Sequence, residues 1–328
     1  MEPGTAIERQ GAVFVYILIS VVSVLLNKNF VETYKRLPAT TTVLLGQTVV
    51  TVVSGYLLRT FNIVQFPNFN KKIILKVHTL ALLHVEIVIC GLAMTELSQP
   101  TFEPLQRFSI IITVVAEVVM FDTHISNVIL SSIAVMIISG MVGLNTTLTE
   151  FNPMGWLATI LQGVLISFRL ISLKKRLYAE VLGKYGILFY SNVVMLPLAA
   201  ALCYFTGEMH LAYNYPWSSS SQVQFITMCA YGIFMTLAFI TCAQYNSATT
   251  TAVVPCTQHL VVAFGEFAMS TKEAYDLKFG YFASANIATL ACITYFYFEF
   301  KDAILASKGY QTLNKCASVG SSDEEEEV

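Results

Sequence analysis

Long apolar runs recur along this chain, each about the length of a bilayer, with short polar breaks between them. A spanning helix needs about 20 mostly apolar residues, and roughly ten such windows fit here. They cover 11–31, 38–58, 73–95, 99–121, 125–145, 154–173, 186–206, 222–243, 246–269 and 279–300. This pattern predicts an all-α membrane protein with about ten transmembrane helices. The longer connections, Arg59–Lys72 and Leu173–Lys184, are too short for an inserted soluble domain. No small-residue cleavage site follows the first run, so it reads as a span and not a leader. Only the stretch from about residue 301 onward is expected wholly outside the bilayer.

The breaks between spans carry the orientation signal. With the N-terminus in the cytosol, the cytosolic segments hold Arg9, Arg59, Lys71, Lys72, Lys76, Lys174, Lys175, Arg176, Lys184, Lys301, Lys308 and Lys315. The opposite side holds Lys35, Arg36, Lys272 and Lys278. Lys and Arg concentrate on the cytosolic side of membrane proteins, so both termini are expected there. The sequon Asn145-Thr146-Thr147 then falls on the lumenal side, tight against the membrane.

Composition removes most other classes. Of the residues, 55% are hydrophobic and 12% charged, against roughly 25% charged in a soluble domain. Net charge is −2, and the scattered Lys and Arg form no stripe for nucleic acid. The seven cysteines include no CxxC pair and no zinc spacing, and most sit in apolar runs as small hydrophobes. There is no P-loop, GxSxG or HExxH. No enzyme, no ATP drive, no metal and no cofactor is therefore expected, which leaves exchange or downhill transport.

Ionisable groups inside a bilayer usually face a cavity or one another. The candidates here are Lys28, Glu86, Arg107, Glu117, His259 and Glu266, and Arg169 also remains within or at the end of a helix. Lys28 lies near a helix end and could reach the interface instead, and Arg107 could pair with Glu103, four residues earlier. Glu86 and Glu117, nearer the middle of their spans, are expected to face a polar cavity. The ninth span is the most polar, with Thr249, Thr250, Thr251, Thr257, Gln258 and His259 around Pro255. A proline there frees a carbonyl and kinks the helix, which suits a cavity wall. Close packing on a neighbour is the plainer reading of its threonines. The seventh span opens with Phe189-Tyr190-Ser191-Asn192, an aromatic pair and an amide that suit a nucleobase.

An even helix count allows two inverted five-helix repeats. The basic run Lys174-Lys175-Arg176 would be the hinge. Residues 1–173 then hold the first five to six helices with the first repeat, and 174–300 hold the remainder with helices seven to ten. The acidic tail, 301–328, is expected to be disordered and cytosolic. A weak internal echo fits: Pro104, Gln106-Arg107 and Glu117 in the fourth span, Pro255, Gln258-His259 and Glu266 in the ninth.

At these residues the chain resembles the nucleotide-sugar transporters of the drug/metabolite transporter superfamily. Its nearest likeness is to the UDP-glucuronate/UDP-N-acetylgalactosamine branch. The resemblance is carried by Leu182-Gly183-Lys184-Tyr185-Gly186 before Phe189-Tyr190-Ser191-Asn192, and by Gln244-Tyr245-Asn246-Ser247-Ala248 before Thr250-Thr251. Arg107-Phe108-Ser109-Ile110 with Glu117, and Leu26-Asn27-Lys28, add to it. It implies two inverted five-helix repeats around a central cavity in a Golgi or endoplasmic reticulum membrane. It also implies exchange of a cytosolic UDP-sugar for the lumenal nucleoside monophosphate, and it leaves a homodimer open. By this likeness the substrate-binding residues are Lys28, Arg107, Tyr190, Asn192, Tyr245, Asn246, Thr250, Gln258 and His259.

Departures from the branch bear on the substrate. Gly-Cys-Ile-Lys-Asn in the branch is Pro255-Cys256-Thr257-Gln258-His259 here, so the lysine has become Gln258. The first of two fourth-span arginines is Gln106. Glu86 and Glu266 stand where relatives have neutral residues. His259, with an ordinary pKa of about 6.5, is the remaining cationic candidate beside the altered motif. A same-fold transporter of a less anionic metabolite is the alternative. A non-transporting escort or scaffold docked through the acidic tail is the third reading.

Overall fold

Backbone amides and carbonyls have no water to bond in a bilayer, so each apolar run must satisfy them internally as a helix. The computed structural model describes residues 5–33, 40–68, 70–93, 105–147, 153–178, 182–258, 282–301 and 304, and every regular element among them is helical. In chain order these are α1 (Ala6–Thr33), α2 (Thr40–Thr60), α3 (Lys71–Ala93), α4 (Phe108–Phe121), α5 (Asn127–Thr147) and α6 (Pro153–Tyr178). Next come α7 (Gly183–Phe205), the short α8 (Glu208–Asn214), α9 (Ser219–Tyr245) and α10 (Ala248–Val253), which runs into a 3-10 turn (Val254–Thr257). The helix over 282–301 is α11. Seven of the described helices (α1, α2, α3, α5, α6, α7 and α9) are long and apolar enough to cross a membrane. α4 is a shorter apolar helix of 14 residues.

Polarity is inverted relative to a soluble protein, as the lipid environment requires. The exposed side chains are apolar, among them Phe14 and Leu18 on α1, Val115 and Val119 on α4, and Ile138 and Val142 on α5. Polar groups turn inward: Thr48, Thr113, Glu117, Thr159, Gln162, Ser167 and Lys174 are all buried. Thr113 donates to Ser167 at 3.0 Å between α4 and α6.

The packing partners are reciprocal. α3 packs on α6 and α7, and α9 packs on α1 and α2. α2 packs on α7, and α4 packs on α10. Small residues let α2 and α9 approach closely. A Cβ on Gly46 of α2 would sit 2.4 Å from Cys229 Sγ, and one on Gly232 of α9 would sit 2.6 Å from the Gln47 side chain. Arg9 near the start of α1 pairs with Glu299 near the end of α11 at 3.1 Å, so the two ends of the bundle's chain meet at one face.

Several elements differ from the hydropathy reading, α1 among them, which starts five residues early at Ala6. The sixth span runs five residues beyond 173, to Tyr178, because Lys174 is buried in the bundle and not in a loop. α8 is unforeseen. Its Glu208 accepts from the amides of Thr41 at 2.8 Å and Thr42 at 3.0 Å, and so caps α2 with an anion. The eighth span starts three residues early, at Ser219, where Ser218 and Ser221 form a reciprocal capping box. At Pro255 the ninth span changes from α to 3-10 geometry, the local break expected of a proline.

Candidate functional site

Four helices, α3, α6, α7 and α9, surround a narrow polar cleft. Arg169 of α6, Asn192 of α7 and Thr236 of α9 each lie about nine residues inward from the same end of the bundle, or roughly 14 Å. His84 of α3 lies deeper, about 13 residues from its helix start, or roughly 20 Å. The cleft is therefore near mid-depth. Ser191 and Asn192 line one wall, Thr236 and Phe239 another. The Arg169 guanidinium lies 5.4 Å from the centre of the Phe239 ring. Tyr16 of α1 meets the same ring edge-on, with centroids 5.9 Å apart. Such a cleft can hydrogen-bond an amide edge through Asn192 and hold an anion through Arg169.

Toward that same end of the bundle lies the break between α9 and α10. There the last carbonyls of α9 and the first amides of α10 lack helical partners within the bilayer. A cation and an anion supply them. Lys174 Nζ donates to Ala243 O at 2.9 Å and to Asn246 O. Glu117 accepts from Ala248 N at 2.8 Å, Thr249 N at 2.7 Å and Thr249 Oγ1 at 2.6 Å. Each charge also matches the sign its helix terminus favours.

Of the residues expected to bind substrate, Asn192 lines the cleft, its Nδ2 donating to Leu188 O at 2.8 Å. Tyr190 does not line it. Its side chain is 1% exposed, packs edge-on against Phe66 and Phe189, and donates to Pro67 O at 2.6 Å. Arg107 is buried at the start of α4, with Nη1 donating to Met136 O at 3.3 Å. Tyr245 faces an apolar groove between α1 and α9. Asn246 is buried at the α9–α10 break and donates to Arg9 O at 3.1 Å. Thr250 shares a hydrogen bond with Tyr295 at 3.0 Å. Gln258 follows the 3-10 turn and is half-buried. Lys28 falls within α1, but its side chain lies outside the described residues, as do His259, Glu103 and Glu266. The structure thus brings Asn192 to the cleft and gathers Asn246 and Thr250 at the adjoining break.

One expectation for the acids holds in a second place and one changes. Glu117 does line a partly polar cavity, with His124, Ser247, Thr249 and Tyr295, separate from the mid-depth cleft, and its carboxylate is committed there to the α10 amides and the threonine hydroxyl. Glu86 is exposed on the stripe of α3 that carries Leu75, Leu82 and Ile89, two residues and so about 200° around the helix from His84. The cleft residues not expected to bind substrate are His84 and Arg169, the latter noted only as a cation within or at the end of a helix. A signal was available for the arginine: a cation inside an apolar window costs about 2.5 kcal/mol or more unless it faces a cavity.

A helical bundle of apolar spans with a polar cleft at mid-depth is a multi-pass membrane protein. The comparisons are more specific. The chain is 30% identical over 296 residues to a Caenorhabditis elegans protein, UDP-sugar transporter sqv-7, covering 89% of this chain and 88% of that one. It is 30% identical over 242 residues to the human nucleotide sugar transporter SLC35D2, 71% of each chain. It is 29% identical over 233 residues to the Drosophila melanogaster UDP-sugar transporter UST74c, 70% of this chain and 62% of that one. No family model matches. One solved crystal structure covers 87% of this chain and 98% of its own with a TM-score of 0.58 and 13% identity, a likeness of fold alone. The chain belongs to the nucleotide-sugar transporter family.

Proposed function

We propose that this protein carries a UDP-sugar from the cytosol across a Golgi or endoplasmic reticulum membrane, in exchange for the lumenal nucleoside monophosphate. The observation that carries the reading is the polar cleft where α3, α6, α7 and α9 cross. Transporter sites characteristically lie near the midplane between repeats. Asn192 and Ser191 offer hydrogen bonds to a base edge, and Tyr190 acts behind them by fixing α7 to the loop after α2. With Glu86 outside the cleft, no acid among the described lining residues opposes an anionic substrate.

The reciprocal packing supports ten spans in two inverted five-helix repeats. Moving each span on by five turns the pairing of the third with the sixth and seventh into that of the eighth with the first and second. The second-with-seventh and fourth-with-ninth pairings map onto themselves. The Arg9–Glu299 pair supports termini on one side, and the loop charges favour the cytosol for that side. These loops and that count are compatible with a monomer or a homodimer.

The test is uptake of labelled UDP-sugars and GDP-sugars into proteoliposomes preloaded with UMP or GMP. UDP-sugar uptake accelerated by internal UMP is the expected result. Uptake of none of the panel, with the protein folded, overturns the proposal.

A further inference from the structure

The cleft holds two basic side chains and no acid. Arg169 and His84 both line it, and no Asp or Glu is among its described lining residues. The acids nearest the break are already engaged: Glu117 by the α10 amides, Glu299 by Arg9. Arg169 has no carboxylate partner among the described residues, and Phe239 offers its guanidinium only a ring face.

That arrangement suits an anion. A ring face contributes about 0.5–2 kcal/mol to a cation. Arg169 is half-buried and lines the cleft, so its guanidinium can turn donors toward an anion there. Arg has five N–H donors in a planar fork, which matches two oxygens of one phosphate. A phosphate between Arg169 and His84 would fill those donors and accept from a ring N–H of the imidazole as well. Ser191 and Asn192 of α7 line the same cleft at the depth of Arg169, so a base held there would leave its phosphates within reach of the guanidinium.

We propose that Arg169, with His84 beside it, is the phosphate-binding subsite of this carrier and the main determinant of its preference for nucleotides over nucleosides. Gln258, standing where the resembling branch has a lysine, is not among the residues lining the cleft. The fixed positive charge on this reading comes from the sixth span. The inference rests on the nucleotide-sugar reading above.

The experiment compares uridine, UMP and UDP as competitors of labelled UDP-sugar uptake, for the full-length protein, Arg169→Gln, Arg169→Lys and His84→Gln. In the wild type, UDP and UMP should compete better than uridine. Arg169→Gln should weaken UDP roughly tenfold to a hundredfold, the loss of a charge-assisted pair, while uridine is unchanged. Arg169→Lys should keep part of the UDP preference, and His84→Gln should lose a smaller share. Should Arg169→Gln fail to fold, inorganic pyrophosphate against the wild type carries the test, and it must displace UDP. Undiminished UDP preference in folded Arg169→Gln, an equal loss for uridine, or no displacement by pyrophosphate overturns the subsite alone. A wild type that takes up no nucleotide sugar overturns the functional reading first, and this inference with it.

Discussion

Replacing Glu117 should unfold this protein at a markedly lower temperature, because one carboxylate closes a helix end inside the membrane. The side chain is 4% exposed and accepts three hydrogen bonds, from Ala248 N at 2.8 Å, Thr249 N at 2.7 Å and Thr249 Oγ1 at 2.6 Å. In Glu117→Ala all three donors lose their acceptor. A buried unsatisfied donor costs about 1–3 kcal/mol, and the three share one small space that a water can partly fill. The net loss is about 3–5 kcal/mol. At roughly 2 °C per kcal/mol, Tm should fall by about 6–10 °C. Glu117→Gln keeps one acceptor oxygen but turns an NH2 toward an amide, so its loss should be about half as large. Six cysteines among the described residues are buried, so a thiol-reactive dye reads the unfolding directly in detergent. Lys174 holds the other side of the same break through Ala243 O and Asn246 O. Lys174→Met combined with Glu117→Ala should therefore cost less than the two single losses added. A Glu117→Ala Tm within about 2 °C of wild type would refute the capping argument, since even one unsatisfied amide predicts more.

Tyr190→Phe removes the hydroxyl that reaches Pro67 O at 2.6 Å but keeps the ring against Phe66 and Phe189. It should cost about 1 kcal/mol in the same melting assay and leave UDP competition unchanged; a tenfold weaker competition would mean that the hydroxyl meets the substrate. Gly232→Val places a branched side chain where a Cβ already lies 2.6 Å from the Gln47 side chain. Forcing α9 from α2 should cost at least about 1–3 kcal/mol and lower the yield of folded protein, whereas an unchanged melting curve would show that the α2–α9 seam is loose.

The amino-acid sequence by itself determined that the chain is a bundle of membrane helices, and roughly where each one runs. That information is local: the length of an apolar run and the polarity of its breaks decide whether a segment can satisfy its backbone in lipid. The break at Pro255 was legible for the same reason. The motifs around Asn192 and Asn246 marked the two neighbourhoods that matter, the cleft wall and the α9–α10 break. What local pattern could not decide is which way each polar side chain turns and what meets it. Tyr190 and Asn192 are two residues apart, so a helix sends them to different faces, and only the packing of α7 on the loop after α2 put the ring in the core. Glu86 and His84 divided in the same way, the acid to the outer stripe of α3 and the base to the cleft. Lys174, counted among loop cations by its neighbours in the sequence, is 5% exposed because α9 ends against it. Glu117 and Ala248 are 131 residues apart, and nothing in either segment names the other. Partnerships of that kind depend on which helices cross, and crossing is a property of the whole bundle rather than of any one run.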